Sequence, residues 1–334
     1  MNAEHLDQAG PRAIGAVVIG RNEGERLGKC LTSAVRQASC LLYVDSDSSD
    51  GSVALAQSLG FETHALDPAK PLSAARARNE GREWLRLTRH DPQYLQFVDG
   101  DCELCDGWLE AAAEFLDGHA DVAVVSGRLR EKYPDSSVFN LATEFEWDLP
   151  AGEARSCGGI AMVRTSAFDQ VHGFRTDLIA GEEPELCVRL RAMGWRIWRL
   201  DRDMALHDLA MSRFSQWWKR SLRAGHTFAE GVALHGAPPE RHYVREYRSA
   251  LGWGLCIPLS TLALMALIGP LGALLLVLYP LQVIRLAMLG NRSARANWWR
   301  GLFLVVGKFP EVLGVLLFHV RRVLGQRTRL IDYK

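Results

Sequence analysis

From residue 12 to about residue 230, short runs of β-branched and aromatic residues alternate with stretches of helical periodicity. Ile14–Ile19, Leu41–Val44, Tyr94–Val98, Val122–Ser126, Ile160–Val163 and Arg196–Arg199 are predicted strands. Arg26–Ala38, Ser52–Leu59, Pro71–Leu87, Gly107–Leu116 and Pro184–Met193 are predicted helices. Strands alternating with helices build a parallel sheet covered on both faces, so an α/β fold is expected. The pattern then changes. Ala250 to Ile284 contains no charged residue, and Arg285 is the first to appear. One membrane span needs about 20 apolar residues, so this stretch holds nearly two. Gly269-Pro270 falls near its middle, where a tight turn belongs, which predicts a helical hairpin of Ala250–Ile268 and Leu271–Leu289. A third apolar stretch, Gly301–Val320, is interrupted by Lys308, Pro310 and Glu311. It reads as a re-entrant segment or as an interfacial helix anchored by Trp298 and Trp299.

These changes divide the 334 residues into a tail (1–11), an α/β domain (12–235), a linker (236–249), the transmembrane hairpin (250–289) and a basic interfacial or re-entrant segment (290–334). The 39 basic and 39 acidic side chains cancel, which argues against a nucleic-acid partner. The balance is uneven, since nine Lys/Arg against Glu311 and Asp332 leave the stretch from Asn291 to Lys334 at +7. Arg241, Arg245 and Arg248 precede the hairpin, and Arg292, Arg295 and Arg300 follow it. Positive-inside bias therefore puts both ends in the cytosol, at an inner (cytoplasmic) membrane. Met1–Arg12 is polar and carries Glu4 and Asp7, so no signal peptide is expected. The seven cysteines are scattered, with Cys102-x-x-Cys105 the only close pair, and read as reduced cytosolic thiols.

In parallel α/β sheets, ligands gather at the carboxyl ends of the strands. The acidic residues of this chain collect at those ends. Asp99-Gly100-Asp101 follows an apolar strand, and two carboxylates one residue apart can face one hard cation, Mg²⁺ or Mn²⁺, which could hold a diphosphate. Asp45 to Gly51 fails the spacing of a calcium loop, because Gly51 stands at the seventh position and Ala56 where a bidentate Glu belongs. It reads better as a nucleoside pocket in which Asp45 accepts hydrogen bonds, with Ser48–Ser52 starting the next helix. Arg78, beside Asn79 on a helical run, could reach phosphate as a fork. Gly181-Glu182-Glu183-Pro184-Glu185 opens a helix in which Pro184 is expected as the first residue. The helix dipole favours a carboxylate there, suiting a general base that accepts an alcohol proton. His207 follows a strand and reads as either a structural histidine or a third metal ligand.

These pieces, in this order, resemble the family 2 glycosyltransferases with a GT-A fold, over about Ile14 to Gly225. Val17-Val18-Ile19-Gly20-Arg21-Asn22-Glu23 is similar to that family's opening strand and N-E turn, and Val44–Ser52 to its V-D-x-x-S-x-D-x-T segment. Ala77-Arg78-Asn79 and Phe97-Val98-Asp99-Gly100-Asp101 are similar to its A-R-N helix and D-x-D strand. Gly158-Gly159, with Phe168 and Gly173-Phe174, resembles the acceptor-side segment before its E-D-x-D-L motif. The resemblance implies a Rossmann-like, mostly parallel GT-A catalytic domain, followed here by the membrane hairpin. It implies inverting transfer of a sugar from a nucleotide-sugar, UDP-linked by expectation, to an acceptor hydroxyl. Carried over, Asn22, Glu23, Asp45 and Asp47 line the donor pocket, Arg78 lies near the diphosphate, Asp99 lies by the ribose and metal, and Asp101 holds the metal, to which His207 is the candidate third ligand read from the sequence alone. Glu183 stands where the family has its catalytic Asp, with Glu182 able to share the role, and Glu185 stands for the second Asp.

Processive synthases of that family carry Q-x-x-R-W, whereas Gln216–Arg220 reads Q-x-x-K-R, which favours single-sugar transfer. The same segment also reads as a basic amphipathic helix with Trp217 and Trp218 at headgroup depth. A membrane tether points to a lipid-linked glycan acceptor. A nucleotidyltransferase would need a glycine-rich phosphate loop, and Gly20–Gly24 is too acidic and short. A non-catalytic scaffold of the same fold remains the other alternative.

Overall fold

The computed structural model describes residues 13–88 and 90–325; the expected tail 1–11 and residues 326–334 lie outside the described residues. The chain forms two compact units. The first comprises residues 13–129, 150–174 and 189–207, and the second comprises residues 130–149, 175–188 and 208–325.

The first unit is built on a sheet of nine strands among the described residues: β1 (Ile14–Gly20), β2 (Cys40–Asp45), β3 (Glu62–Ala65), β4 (Tyr94–Asp99), β5 (Cys102–Leu104), β6 (Val122–Glu131), β7 (Gly152–Ala154), β8 (Ala161–Arg164) and β9 (Arg196–His207). Their order is β3-β2-β1-β4-β8-β6-β9-β5, with β7 beside β9. The half from β3 to β4 is parallel, as the strand–helix alternation requires. Beyond β4 the pairs of β8 with β4 and β6, and of β9 with β5 and β7, are antiparallel. β1 is buried along all but its last residue, as expected of a central strand covered on both faces.

The helices α1 (Glu25–Val35), α2 (Ser52–Ser58), α3 (Ala74–Leu87) and α4 (Trp108–Gly118) follow strands as the sequence predicts. Leu27 and Leu31 of α1 and Trp108 and Leu109 of α4 join Val18, Tyr43 and Val98 of the sheet in one core. Trp108 is fully buried, and its indole N–H is satisfied by the Gln96 side-chain oxygen at 2.9 Å. The strands that periodicity missed, β3, β5 and β7, are three or four residues long, too short to show alternation.

The second unit is helical. It contains α5 (Val138–Trp147), α8 (Phe214–His235), α9 (Val244–Leu251), α10 (Ile257–Ile268), α11 (Leu278–Met288), α12 (Ala294–Val306) and α13 (Lys308–Val323), while α6 (Thr165–Gln170) belongs to the first unit and α7 spans Glu182–Ala192. The expected hairpin is present. The chain turns at Gly269, whose φ of 71° suits a residue without Cβ, and returns through a 3-10 segment, Gly269–Val277, into α11. The Tyr279 hydroxyl donates to the Trp253 carbonyl at 2.7 Å, which fixes the two arms side by side.

Val244–Met288 and Ala294–Val323 are long and apolar enough to cross a membrane, and only 11% of the apolar 18-residue heart of the first is buried. That exposure separates the first stretch from the core helix of a soluble protein. The third apolar stretch is more enclosed, because α13 lies against α8. Their backbones approach so closely that a methyl group at Gly225 would collide with the Glu311 carbonyl, and one at Gly314 with that of Leu222. Small residues at a helix crossing permit this contact, as they do in membrane bundles.

Two readings of this region are corrected. Trp217 does not reach headgroup depth: it is 4% exposed and packs on Phe303 and Phe214, at 4.9 and 5.4 Å between ring centroids. The linker expected over 236–249 is partly helical, since α9 starts at Val244.

Candidate active site

Strand register brings the predicted donor residues together. Gly20 pairs with Asp45 and Ile19 with Asp99, so the loops after β1, β2 and β4 leave the sheet at one level. Asn22 adopts a left-handed φ of 54° and bridges two of them. Its N–H donates to Ser48 Oγ at 3.0 Å, and its side-chain oxygen accepts the Ser49 N–H at 2.7 Å. The Gly24 N–H donates to Asp50 at 3.0 Å. Asp45 is 3% exposed and accepts from the Tyr43 hydroxyl and the Ser48 N–H, each at 2.8 Å. Burial first, and then the Asp45 carboxylate, push the Tyr43 phenol well above its ordinary pKa, so it stays a donor. Glu23 is buried and ion-paired with Arg26 at 2.7 Å. Asp47 sits at the rim, with over half its side chain exposed.

The two aspartates of the D-x-D strand end differ. Asp99 accepts from Arg78 at 2.8 Å, and Arg78 is 2% exposed, with its guanidinium 5.5 Å from the centre of the Phe174 ring. The arginine expected near a diphosphate thus holds the first aspartate. Asp101 turns elsewhere. β9 ends at His207 rather than at Arg199, so His207 lies within a strand, and the antiparallel register sets it opposite Cys102. Its Nε2 comes within 3.4 Å of Asp101 Oδ1.

Ligand-type atoms of Asp101, Cys102 and His207 all lie within 4.8 Å of one another, and Asp99 is not among them. Cys102, adjacent to Asp101 in the chain, reads from sequence only as a reduced thiol, because its partner arrives only through β5–β9 pairing. Burial, followed by the neighbouring Asp101 and Asp99 carboxylates, raises its thiol pKa well above normal. The carboxylate oxygen and imidazole nitrogen of Asp101 and His207 fit a divalent cation that accepts both, which suits Mn²⁺ better than the oxygen-demanding Mg²⁺. Antiparallel pairing of β8 with β4 puts Ala161 beside Phe97, which brings the preceding Gly158-Gly159 to the Asp99 end of the sheet.

The acidic turn belongs to the second unit. α7 begins at Glu182, not at Pro184, so Glu182, Glu183 and Glu185 all occupy its first turn, where the helix dipole favours negative charge. Glu182 and Glu185 are buried, at 6% and 2% exposure, whereas Glu183 is partly open. Glu185 meets His235 Nε2 at 3.0 Å. Gln216, compared above with a processive motif, caps α8 by accepting the Ser212 and Arg213 N–H groups, each at 3.0 Å.

The family model described as Glycosyl transferase family 2 matches residues 16–170. The match spans under half of the chain, and over that stretch the chain resembles this family. The match takes in Asn22 through Asp101 and Gly158-Gly159; Glu182–Glu185 and His207 lie beyond it. A curated relative, the glycosyltransferase AglE of Haloferax volcanii, is 24% identical over 197 residues, which is 55% of this chain and 63% of that protein. The chain therefore spans less than two-thirds of this relative's length. Among solved structures, a mannosyltransferase from Pyrobaculum calidifontis, determined in complex with GDP-mannose and Mn²⁺, aligns with a TM-score of 0.64 at 17% identity, covering 92% of this chain and 88% of its own. At that identity the likeness concerns the fold, GT-A, and its coverage extends into the C-terminal helices.

Proposed function

We propose that the chain is an inverting, non-processive, hexosyltransferase-type enzyme. It moves a sugar from a nucleotide-sugar, with UDP the expected nucleotide, to a hydroxyl of a lipid-linked glycan acceptor. It acts at the cytosolic face of the cytoplasmic membrane, in surface polysaccharide or glycolipid synthesis. The observation that carries the reading is the approach of His207 to Asp101, at 3.4 Å, at the carboxyl end of the family 2 sheet. The exposed, uncharged hairpin supports a membrane-borne acceptor.

In this reading Asn22 and Asp45 shape the nucleoside pocket, Glu23 and Asp47 flank it, Asp99 orients the ribose, and Arg78 keeps Asp99 in place. Asp101 and His207 would hold Mn²⁺ or Mg²⁺, which when bound supplies positive charge to the leaving diphosphate. Gly158 and Gly159 leave room on the acceptor side. Glu183, the more open carboxylate at the start of α7, accepts the proton of the acceptor hydroxyl as its oxygen bonds to the anomeric carbon. The bond from that carbon to the diphosphate oxygen breaks, and its electron pair leaves with the nucleoside diphosphate. Glu182, more buried, is the alternative base. Single transfer is favoured over processive synthesis because Gln216 is engaged as a helix cap.

The test is nucleotide release from a donor panel with and without Mn²⁺, in the wild type and in Glu183→Gln. Transfer is expected to disappear in the variant while donor binding persists. Full turnover in Glu183→Gln refutes the base assignment, and absence of release from every donor favours the scaffold alternative.

A further inference from the structure

The turn that carries Glu182 and Glu183 is gripped at both ends by one helix. Arg223, Thr227 and Glu230 fall on one face of α8, at spacings of four and three. Arg223 Nη2 donates to the Ile179 carbonyl at 2.9 Å, and Thr227 Oγ1 reaches the Ala180 carbonyl at 3.5 Å. Glu230 accepts the Ile179 N–H. At the far end of the same helix, His235 Nε2 meets Glu185 Oε1 at 3.0 Å. Ile179–Ala180 and Glu185 bracket the two carboxylates, so the segment between them is anchored before and after. α8 is in turn seated on α13 through the glycine crossing described above.

We propose that His235 is a positioning residue for Glu182 and Glu183, acting through Glu185. The inference rests on the reading of that acidic turn as the base of the transfer reaction. Glu185 is 2% exposed, and a carboxylate so buried must keep its hydrogen-bond partners or move toward water. Glu185 shares the first turn of α7 with Glu182 and Glu183, so any shift it makes is passed to them through one turn of rigid helix. A misplacement of about 1 Å at a reacting group can cost about 100-fold in rate. Glu185, expected as the counterpart of the family's second Asp, thereby has an internal role, and α13 reaches the acidic turn through α8.

The experiment uses the full chain purified in detergent, with His235→Leu and His235→Gln. Leu removes this one donor to Glu185, whereas the Gln amide can still donate. Expected for the Leu variant is a fall in kcat of about 10- to 100-fold. The donor KM and the thermal shift produced by nucleotide with Mn²⁺ should stay within about twofold of wild type, since a positioning loss acts on the transition state. Gln should recover most of kcat. Backbone amide exchange over residues 179–185 should accelerate in the Leu variant and return toward wild type in the Gln variant.

Wild-type kcat in the Leu variant overturns the proposal, as does equal loss in both variants. A parallel loss of donor binding, or unchanged exchange over 179–185, overturns it as well. The exchange measurement reads the brace without turnover. If Glu183→Gln remains active while His235→Leu loosens 179–185, the base assignment falls and the brace stands.

Discussion

Asp99→Asn and Asp101→Asn change the same atoms two residues apart and should fail in opposite ways. Arg78 is 2% exposed and meets Asp99 at 2.8 Å. Two unit charges about 4 Å apart at an effective dielectric of about 20 attract by roughly 4 kcal/mol. Removing one partner leaves the other charge buried with less compensation, which costs about 3–5 kcal/mol in fully buried pairs. The Asp99 side chain is 35% exposed and Asn retains one acceptor oxygen, so we take about 2–3 kcal/mol for Asp99→Asn. For a domain of this size that lowers Tm by about 5–10 °C. Asp101→Asn removes the carboxylate charge opposite His207 while keeping one acceptor oxygen. Its loss should instead appear as a vanished Mn²⁺-dependent thermal shift with nucleotide. Melting curves of both variants, with and without Mn²⁺ and UDP, separate the two. Equal Tm values for Asp99→Asn and the wild type refute the buried-pair argument; a retained Mn²⁺-dependent shift in Asp101→Asn refutes the cation assignment.

Two further outcomes test the helical unit. Gly225→Val places branched carbons against the Glu311 backbone, which cannot rotate away, and should cost about 3 kcal/mol or more; a Tm within about 1 °C of wild type would mean α8 and α13 do not touch there. Glu230→Gln tests burial on the α8 face that holds Ile179. Burial pushes the Glu230 carboxyl up to about 7, whereas in an unfolded chain it titrates near about 4.3. Between those values the folded state keeps a proton that the unfolded state releases, so the wild type loses stability as pH rises, by about 4 kcal/mol in all. Gln has no proton to lose. Its Tm should gain steadily on the wild type from pH 5 to 8, and parallel curves would show that Glu230 is not buried in the folded protein. His226 is shifted the other way, down to about 4 by burial and then by Arg321, but it is present in both proteins and drops out of the comparison.

Strands β1, β2 and β4 were readable because they are apolar runs of six or seven residues bounded by turns. The same holds for the hairpin, where thirty-five uncharged residues, 250–284, with Gly269-Pro270 near the middle leave few alternatives. His207 shows the limit. The sequence leaves it as a strand-end histidine, and only the pairing of β9 with β5 carries it to Asp101. Pro184 misled because it marks the third residue of α7 rather than the first, so the first turn holds three carboxylates. Trp217 was assigned toward lipid from its amphipathic segment, yet Phe303, 86 positions later, covers it.

What the chain determined by itself was what neighbours in sequence set: the longer strands and helices, the acidic strand ends, the uncharged hairpin and the resemblance to family 2 glycosyltransferases. Tertiary structure alone decided the partners: Arg78 with Asp99, His207 with Asp101, His235 with Glu185, and Gly225 with the Glu311 backbone. The reason is physical. Periodicity and turn chemistry act over a few residues, where a local pattern is sufficient to select a conformation. A charge or a close contact is defined by what lies within a few ångströms, and in these four pairs the partner is 21 to 106 residues away along the chain.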